Sequence, residues 1–354
     1  MRSRKGLLLR PADDAARSIA REYLGQWAEA RRRLEKADDP EALHEFRVAL
    51  RRLRATLRAF RQELQPRVPR RTRRRLRRLA EVTMASRDLQ VERAWLVAQL
   101  DALGPEERAG AQWLAARWET RQRAADEQVA RRVAKDFARV DRGLHRAFEP
   151  PGRDATGEDG RSSRTAGAVL RETLREWTAE LDRRFQAIHT LADWDDAHAA
   201  RITVKRLRYL LEPLKQEVSG AEPTIAQLTE LQNLLGELQD AHALTDALRA
   251  AFAEVAVREA RCASDHLLPW PDTQGGADDS DTAEARAGLI ALSRRLRGQA
   301  EERLAQVMEW LDRNANELLS ALRDLGRPSG QRSSATSRRG ARAGSQAVER
   351  PSTT

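Results

Sequence analysis

His44-Glu-Phe-Arg47-Val-Ala-Leu-Arg51-Arg52-Leu-Arg54-Ala-Thr-Leu57 and His198-Ala-Ala-Arg201-Ile-Thr-Val-Lys205-Arg206-Leu-Arg208-Tyr-Leu-Leu211 read as one helix written twice. Sliding one half of the chain over the other keeps every basic position of this segment basic and opens each copy with a histidine. The correspondence continues downstream, where Leu76, Leu79, Asp88 and Leu96 fall on Leu228, Leu231, Asp240 and Leu248. A self-match of this length indicates a duplicated unit, and its 3.6-residue apolar period indicates that the unit is helical.

The same period runs through most of the 354 residues. Helices are predicted over 12–36, 40–64, 70–103 and 105–148, and again over 166–191, 195–218, 223–263 and 282–325. Asp39 and Gly104 stand before Pro40 and Pro105, the arrangement of a cap followed by proline in the first helical turn, where the missing N–H costs nothing. Residues 149–165 are rich in Pro, Gly, Asp and Ser and read as a mobile linker, and 269–281 as a loop. The stretch 327–354 lacks core-forming residues and is expected to be disordered. The organisation is therefore a first four-helix repeat within 1–148, the linker, a second repeat within 166–326 and an Arg/Ser-rich tail. Only 5% of residues are aromatic, and the apolar ones are mainly Leu, Ala and Val, which favours an all-α fold over sheets.

Charge is concentrated. Of 64 basic residues five are lysines, leaving 59 arginines, whose planar fork of donors matches phosphate and carboxylate oxygens. Residues 44–78 hold fourteen arginines against Glu45 and Glu63, a local charge of +12, and the tail from Arg327 holds six against Glu349, or +5. Taking both from the net +10 leaves −7 for everything else. An acidic partner is implied. No apolar run approaches the roughly 20 residues that span a bilayer, and Leu7, Leu8 and Leu9 are too short a run for a secretory signal. The single cysteine, Cys262, excludes an internal disulfide and fits a reducing compartment, so a cytoplasmic location without membrane contact is expected.

On a helical wheel at roughly 100° per residue, His44, Arg47, Arg51, Arg54 and Arg58 share one face, with Leu43, Phe46, Leu50, Leu53, Leu57 and Phe60 beside it. His198, Arg201, Lys205 and Arg208 repeat this face, with Glu212 where the first copy has Arg58, so the two halves are expected to hold an anion unequally. A solubilising face usually mixes signs at i,i+4, because like charges there repel. Self-repulsion kept in both copies points to an anion as the missing partner. Glu41-x-x-His44 and Asp195-x-x-His198 have metal-ligand spacing, but neighbouring arginines repel a cation, and the acids around them read as helix caps. No nucleophile motif or phosphate-cradling glycine loop occurs, so neither catalysis nor a cofactor is expected.

These segments, with Arg87-Asp88-Leu-x-Val91 and Leu231-Gln-x-x-Leu-Gly236-x-Leu-x-Asp240, resemble the CHAD domain, the conserved histidine α-helical domain, over about residues 12–325. The resemblance implies two pseudo-symmetric four-helix bundles around a basic central channel that binds inorganic polyphosphate and can carry a protein to polyphosphate granules. It implies His44, Arg47, Arg51, Arg54, His198, Arg201, Lys205 and Arg208 as channel lining, with Arg52, Arg58, Arg87 and Arg206 as further polyphosphate contacts. Nucleic acid is the principal alternative partner, since a +12 segment binds any polyphosphodiester; against it, Asn, Gln and aromatics are not interleaved with the arginines for base contacts. A helical scaffold for a protein partner is a further alternative.

Overall fold

The computed structural model describes residues 6–35, 39–149, 164–267 and 279–327. Among these the regular structure is helical: α1 (Ala12–Arg33), α2 (Pro40–Ala59), α3 (Arg61–Leu64), α4 (Arg70–Gln99), α5 (Pro105–Phe148), α6 (Ala166–Phe185), α7 (Trp194–Leu211), α8 (Ala221–Leu267) and α9 (Asp279–Leu325). Asp39 caps α2 as its sequence position predicts, accepting from the Ala42 amide at 3.1 Å. At the start of α5 the Glu107 carboxylate reaches back to the Gly104 amide at 3.2 Å.

Four predicted helices end four or more residues early. The second breaks at Phe60, whose backbone leaves the helical region so that Phe60 and Leu64 both reach the core. The third tightens after Gln99 into a 3-10 turn over Leu100–Ala102. The fifth, α6, stops at Phe185, and Asp193 restarts the chain by accepting from the His189 and Thr190 amides. The sixth, α7, ends at Leu211, two residues before Pro213, which cannot donate to a helical ladder. The expected linker is tied down at its end: Ala12 N–H donates to the Arg164 carbonyl and Ala166 N–H to the Arg10 carbonyl. Its residues 150–163, most of the predicted loop at 269–281, and nearly all of the tail lie outside the described residues.

Apart from the short α3, each helix of the first half packs against its counterpart in the second, α1 on α6, α2 on α7, α4 on α8 and α5 on α9. One core runs through both halves, from Trp27, Phe46 and Phe148 to Leu174, Leu207 and Leu322, so the repeat boundary is not a boundary in the core. A second cluster, including Leu96, Trp118, Leu248 and Leu292, fills the far ends of α4, α5, α8 and α9. Phe46, Leu50, Leu53 and Leu57 bury the apolar stripe of α2. Each contributes roughly 1.5–3 kcal/mol, against a few tenths for each like-charge pair on the same helix, so packing holds the basic face in place despite its self-repulsion.

At the α5–α9 crossing the backbones touch. A β-carbon on Gly110 would stand 2.0 Å from the Glu284 carbonyl oxygen, and one on Gly288 2.7 Å from that of Glu107. Gly288→Ala should therefore cost about 1–3 kcal/mol through overpacking, read as a lower denaturant midpoint. Gly298→Ala, in the same helix with open space around it, should instead raise the midpoint by relieving helical glycine.

Candidate anion-binding site

The α2–α7 contact places the two copies of the repeated helix side by side, and the first half of α4 lies against α2 and lines the space beside them. Between them lies a cavity of about 520 Å³ lined by Arg51, Arg54 and Arg58 of α2, Arg73 and Arg77 of α4, and Lys205 and Arg206 of α7. No acid lines it; Ala55, Leu57, Leu76 and Ile202 supply apolar wall, and Gln65 and Tyr209 complete it. The local sequence explains this. Apolar residues of α2 and α4 are drawn into the core, which turns their basic residues to a common seam.

The seam is electrostatically unfavourable on its own. Burial pulls the Lys205 ammonium down to about 7 from its ordinary value, helped by the charges of Arg201, Arg51, Arg208 and Arg54. Arg54 is solvent-accessible but enclosed enough for desolvation to lower its pKa, with Arg58 and Arg77 adding to the effect and Glu81 opposing it. Arg206 is lowered by burial and then by Arg58. The Nε atoms of Arg47, Arg51, Arg201 and Arg206 are buried without an acceptor. Buried donors and charges of this kind favour a ligand that carries negative charge and hydrogen-bond acceptors.

Above the cavity the basic residues are mixed with acids. Arg47 is buried, donating to Ser86 Oγ at 2.9 Å and Gln90 Oε1 at 3.0 Å, and Ser86 in turn donates to Asp126 at 2.7 Å. Arg201 and Arg87 face Asp88 and Asp240, the two aspartates that the repeat brings into register. Burial raises both aspartate pKa values, and the arginines partly offset it.

The histidines do not line the cavity. The His198 ring is held by Gln239 Oε1 at 2.6 Å and lies against Trp194. In the repeat Gln239 corresponds to Arg87, which has no acceptor to offer, and His44 is exposed.

Arg52 and Arg208 are also placed elsewhere. Glu212 bridges them, accepting from Arg52 Nε at 3.2 Å and pairing with Arg208. Arg208 further donates to Gln232 at 2.9 Å and lies over the Tyr209 ring. The acid that replaces Arg58 in the second copy is thus a clamp between α2 and the end of α7.

Of the twelve sequence-derived candidates, Arg51, Arg54, Arg58, Lys205 and Arg206 meet at the cavity. Arg47, Arg87 and Arg201 form the adjoining mixed cluster, and His44, Arg52, His198 and Arg208 have the separate environments just described. Sequence reasoning missed Arg73 and Arg77, although the charge count over 44–78 included them. Their second signal is position: at i,i+4 spacing they stand together at one edge of the basic face of α4, beside its apolar arc. It also missed Gln65 and Tyr209 at the wall, correcting the view that no amide or aromatic stands among the basic groups. Gln65 already accepts from Arg73 at 3.1 Å, and Tyr209 is only 8% exposed, which leaves neither open to a base.

Residues 18–249 match the CHAD domain family, and the chain belongs to it. The fold agrees with solved structures. The crystal structure of the CHAD domain from the plant Ricinus communis shares 22% identity, covering 80% of this chain and 93% of that one, with a TM-score of 0.54. PptA from Streptomyces chartreusis shares 16%, covering 84% and 99%, with a TM-score of 0.58. No curated protein sequence gives a significant match.

Proposed function

We propose that this protein binds inorganic polyphosphate without chemically altering it, through the cavity between α2, α4 and α7. The supporting observation is the lining of seven cationic side chains and no acid. A linear chain of phosphates carries charge at every unit and has no bases to accommodate, which suits an arginine-lined seam without open stacking platforms. The family membership points the same way, and on this reading the protein resides in the cytoplasm and is recruited to polyphosphate granules. No described helix is long and apolar enough to cross a membrane.

Competition separates this from nucleic-acid binding. With labelled single-stranded DNA on the protein, long-chain polyphosphate at equal phosphate concentration should displace it, whereas the reverse exchange should fail. Both affinities will fall with salt as counterions are released, so the comparison is made at one ionic strength. DNA that displaces polyphosphate would overturn the proposal.

A further inference from the structure

The basic seam continues past the cavity on the exposed side of α4. Setting Arg71 at zero on a wheel of about 100° per residue, Arg75 falls at about 40°, Arg78 at about −20°, Arg74 at about −60°, Arg70 at about −100°, Arg77 at about −120° and Arg73 at about −160°. The remaining arc belongs to Thr72, Leu76, Leu79 and Ala80, all buried. Seven arginines therefore form a belt over α4, with Arg73 and Arg77 in the α2–α7 cavity at one edge and Arg70, Arg74 and Arg78 exposed across the middle.

The other edge enters a second cavity, of about 470 Å³, between the start of α4 and the end of α5. Its floor is the Thr72–Gly143 contact, so close that a β-carbon on Gly143 would stand 2.6 Å from Thr72 Oγ1. No acid lines it. Two of its arginines are engaged from outside, Arg67 with Asp13 at 3.5 Å and Arg75 with Asp136 at 3.6 Å. Arg71, Arg142 and Arg146 are exposed and form no ion pair with an acid among the described residues. The site also surrounds the first turn of α4, which has no acid and no side-chain cap, so the helix dipole adds to the arginines instead of cancelling them.

We propose that this second cavity is a further phosphate-binding station, and that one polyphosphate chain passes from the α2–α7 cavity over the α4 belt into it. The helix is about 10–12 Å across, so half its circumference is a path of about 15–20 Å that a short oligophosphate cannot cover while filling the first cavity. The second contact is intramolecular, and its effect is avidity for long chains only. The inference rests on the α2–α7 cavity being a polyphosphate site, and its test separates the two.

The test measures binding of tripolyphosphate and of long-chain polyphosphate to the full chain and to a combined Arg71→Gln, Arg142→Gln, Arg146→Gln variant. A second variant, Arg21→Gln, Arg123→Gln, Arg294→Gln, removes the same charge from exposed positions elsewhere. The belt variant should bind tripolyphosphate as the parent does but lose about tenfold or more in long-chain affinity, with a shallower dependence on salt; the control variant should lose far less. Equal losses in both variants, or an unchanged long-chain affinity, would overturn the second station while leaving the first cavity intact. A belt variant impaired for single-stranded DNA and not for polyphosphate would overturn it in favour of a nucleic-acid surface. A parent protein that binds neither phosphate probe would overturn both readings, and unchanged helical circular dichroism guards against a folding defect.

Discussion

Replacing Arg54, Arg58 and Arg77 together by glutamate should lower affinity for long-chain polyphosphate by three orders of magnitude or more while leaving the helices intact. All three line the α2–α7 cavity and all are solvent-accessible, so their backbones and apolar neighbours have no cause to move. A charge-assisted contact contributes on the order of 1.5–3 kcal/mol, so three lost contacts exceed about 4 kcal/mol before the new repulsion is added. Calorimetric titration checks the affinity, and circular dichroism the fold. Arg47, although it belongs to the same sequence motif, is the wrong residue for this experiment. It is buried on Ser86 and Gln90, and Arg47→Glu would put an acid close to Asp126 and Asp88, so its effect would be a loss of stability. An affinity unchanged by the triple substitution would remove the cavity from consideration.

The contrast between Arg47 and Arg54 shows what the sequence could and could not reveal. Helix identity was legible because period and caps are local properties: Asp39 before Pro40 is a statement about four adjacent residues. The common basic face of α2 was legible for the same reason. Which member of that face meets the ligand depends on what stands opposite, and that is a tertiary matter. Ser86 and Gln90 lie about forty residues from Arg47 in sequence, and nothing local marks them as its acceptors. Glu212 is the clearer case. On the wheel it is an acid interrupting a basic stripe, whereas in the fold it joins Arg52 to Arg208 across α2 and α7. Breaks in helices divide the same way: the stop before Pro213 has a local cause, whereas the one at Phe60 answers a distant demand, its ring being needed in the core.

The pH dependence of binding should come from Lys205, which lines the cavity. Polyphosphate affinity should fall steadily as pH rises from about 7 towards 9, by up to tenfold per unit while the bound lysine remains charged. The sign follows from the groups around it. Lys205 faces Arg201 and Arg208 on its own helix and Arg51 and Arg54 on α2, while Asp88 on α4 feels its charge from further off. Burial among cations brings its pKa to about 7 in the free protein, so above that value the neutral amine dominates. A bound polyanion neutralises those neighbours and restores the ammonium, so binding takes up a proton and weakens as protons become scarce. The terminal phosphate loses its second proton at a pKa of about 6 and works in the opposite direction, which long chains with few ends minimise. Stability of the free protein should change the other way. Between about 7 and 10 the unfolded chain holds a proton that the folded Lys205 has released, so the folded state gains as pH rises. Lys205→Arg should keep tight binding and flatten the affinity profile, because guanidinium does not titrate in this range. Lys205→Met should flatten it at weaker affinity while removing the pH-dependent gain in stability. A parent profile already flat from pH 6 to 9, or a Lys205→Arg profile as steep as the parent's, would show that Lys205 is not the group whose protonation accompanies binding.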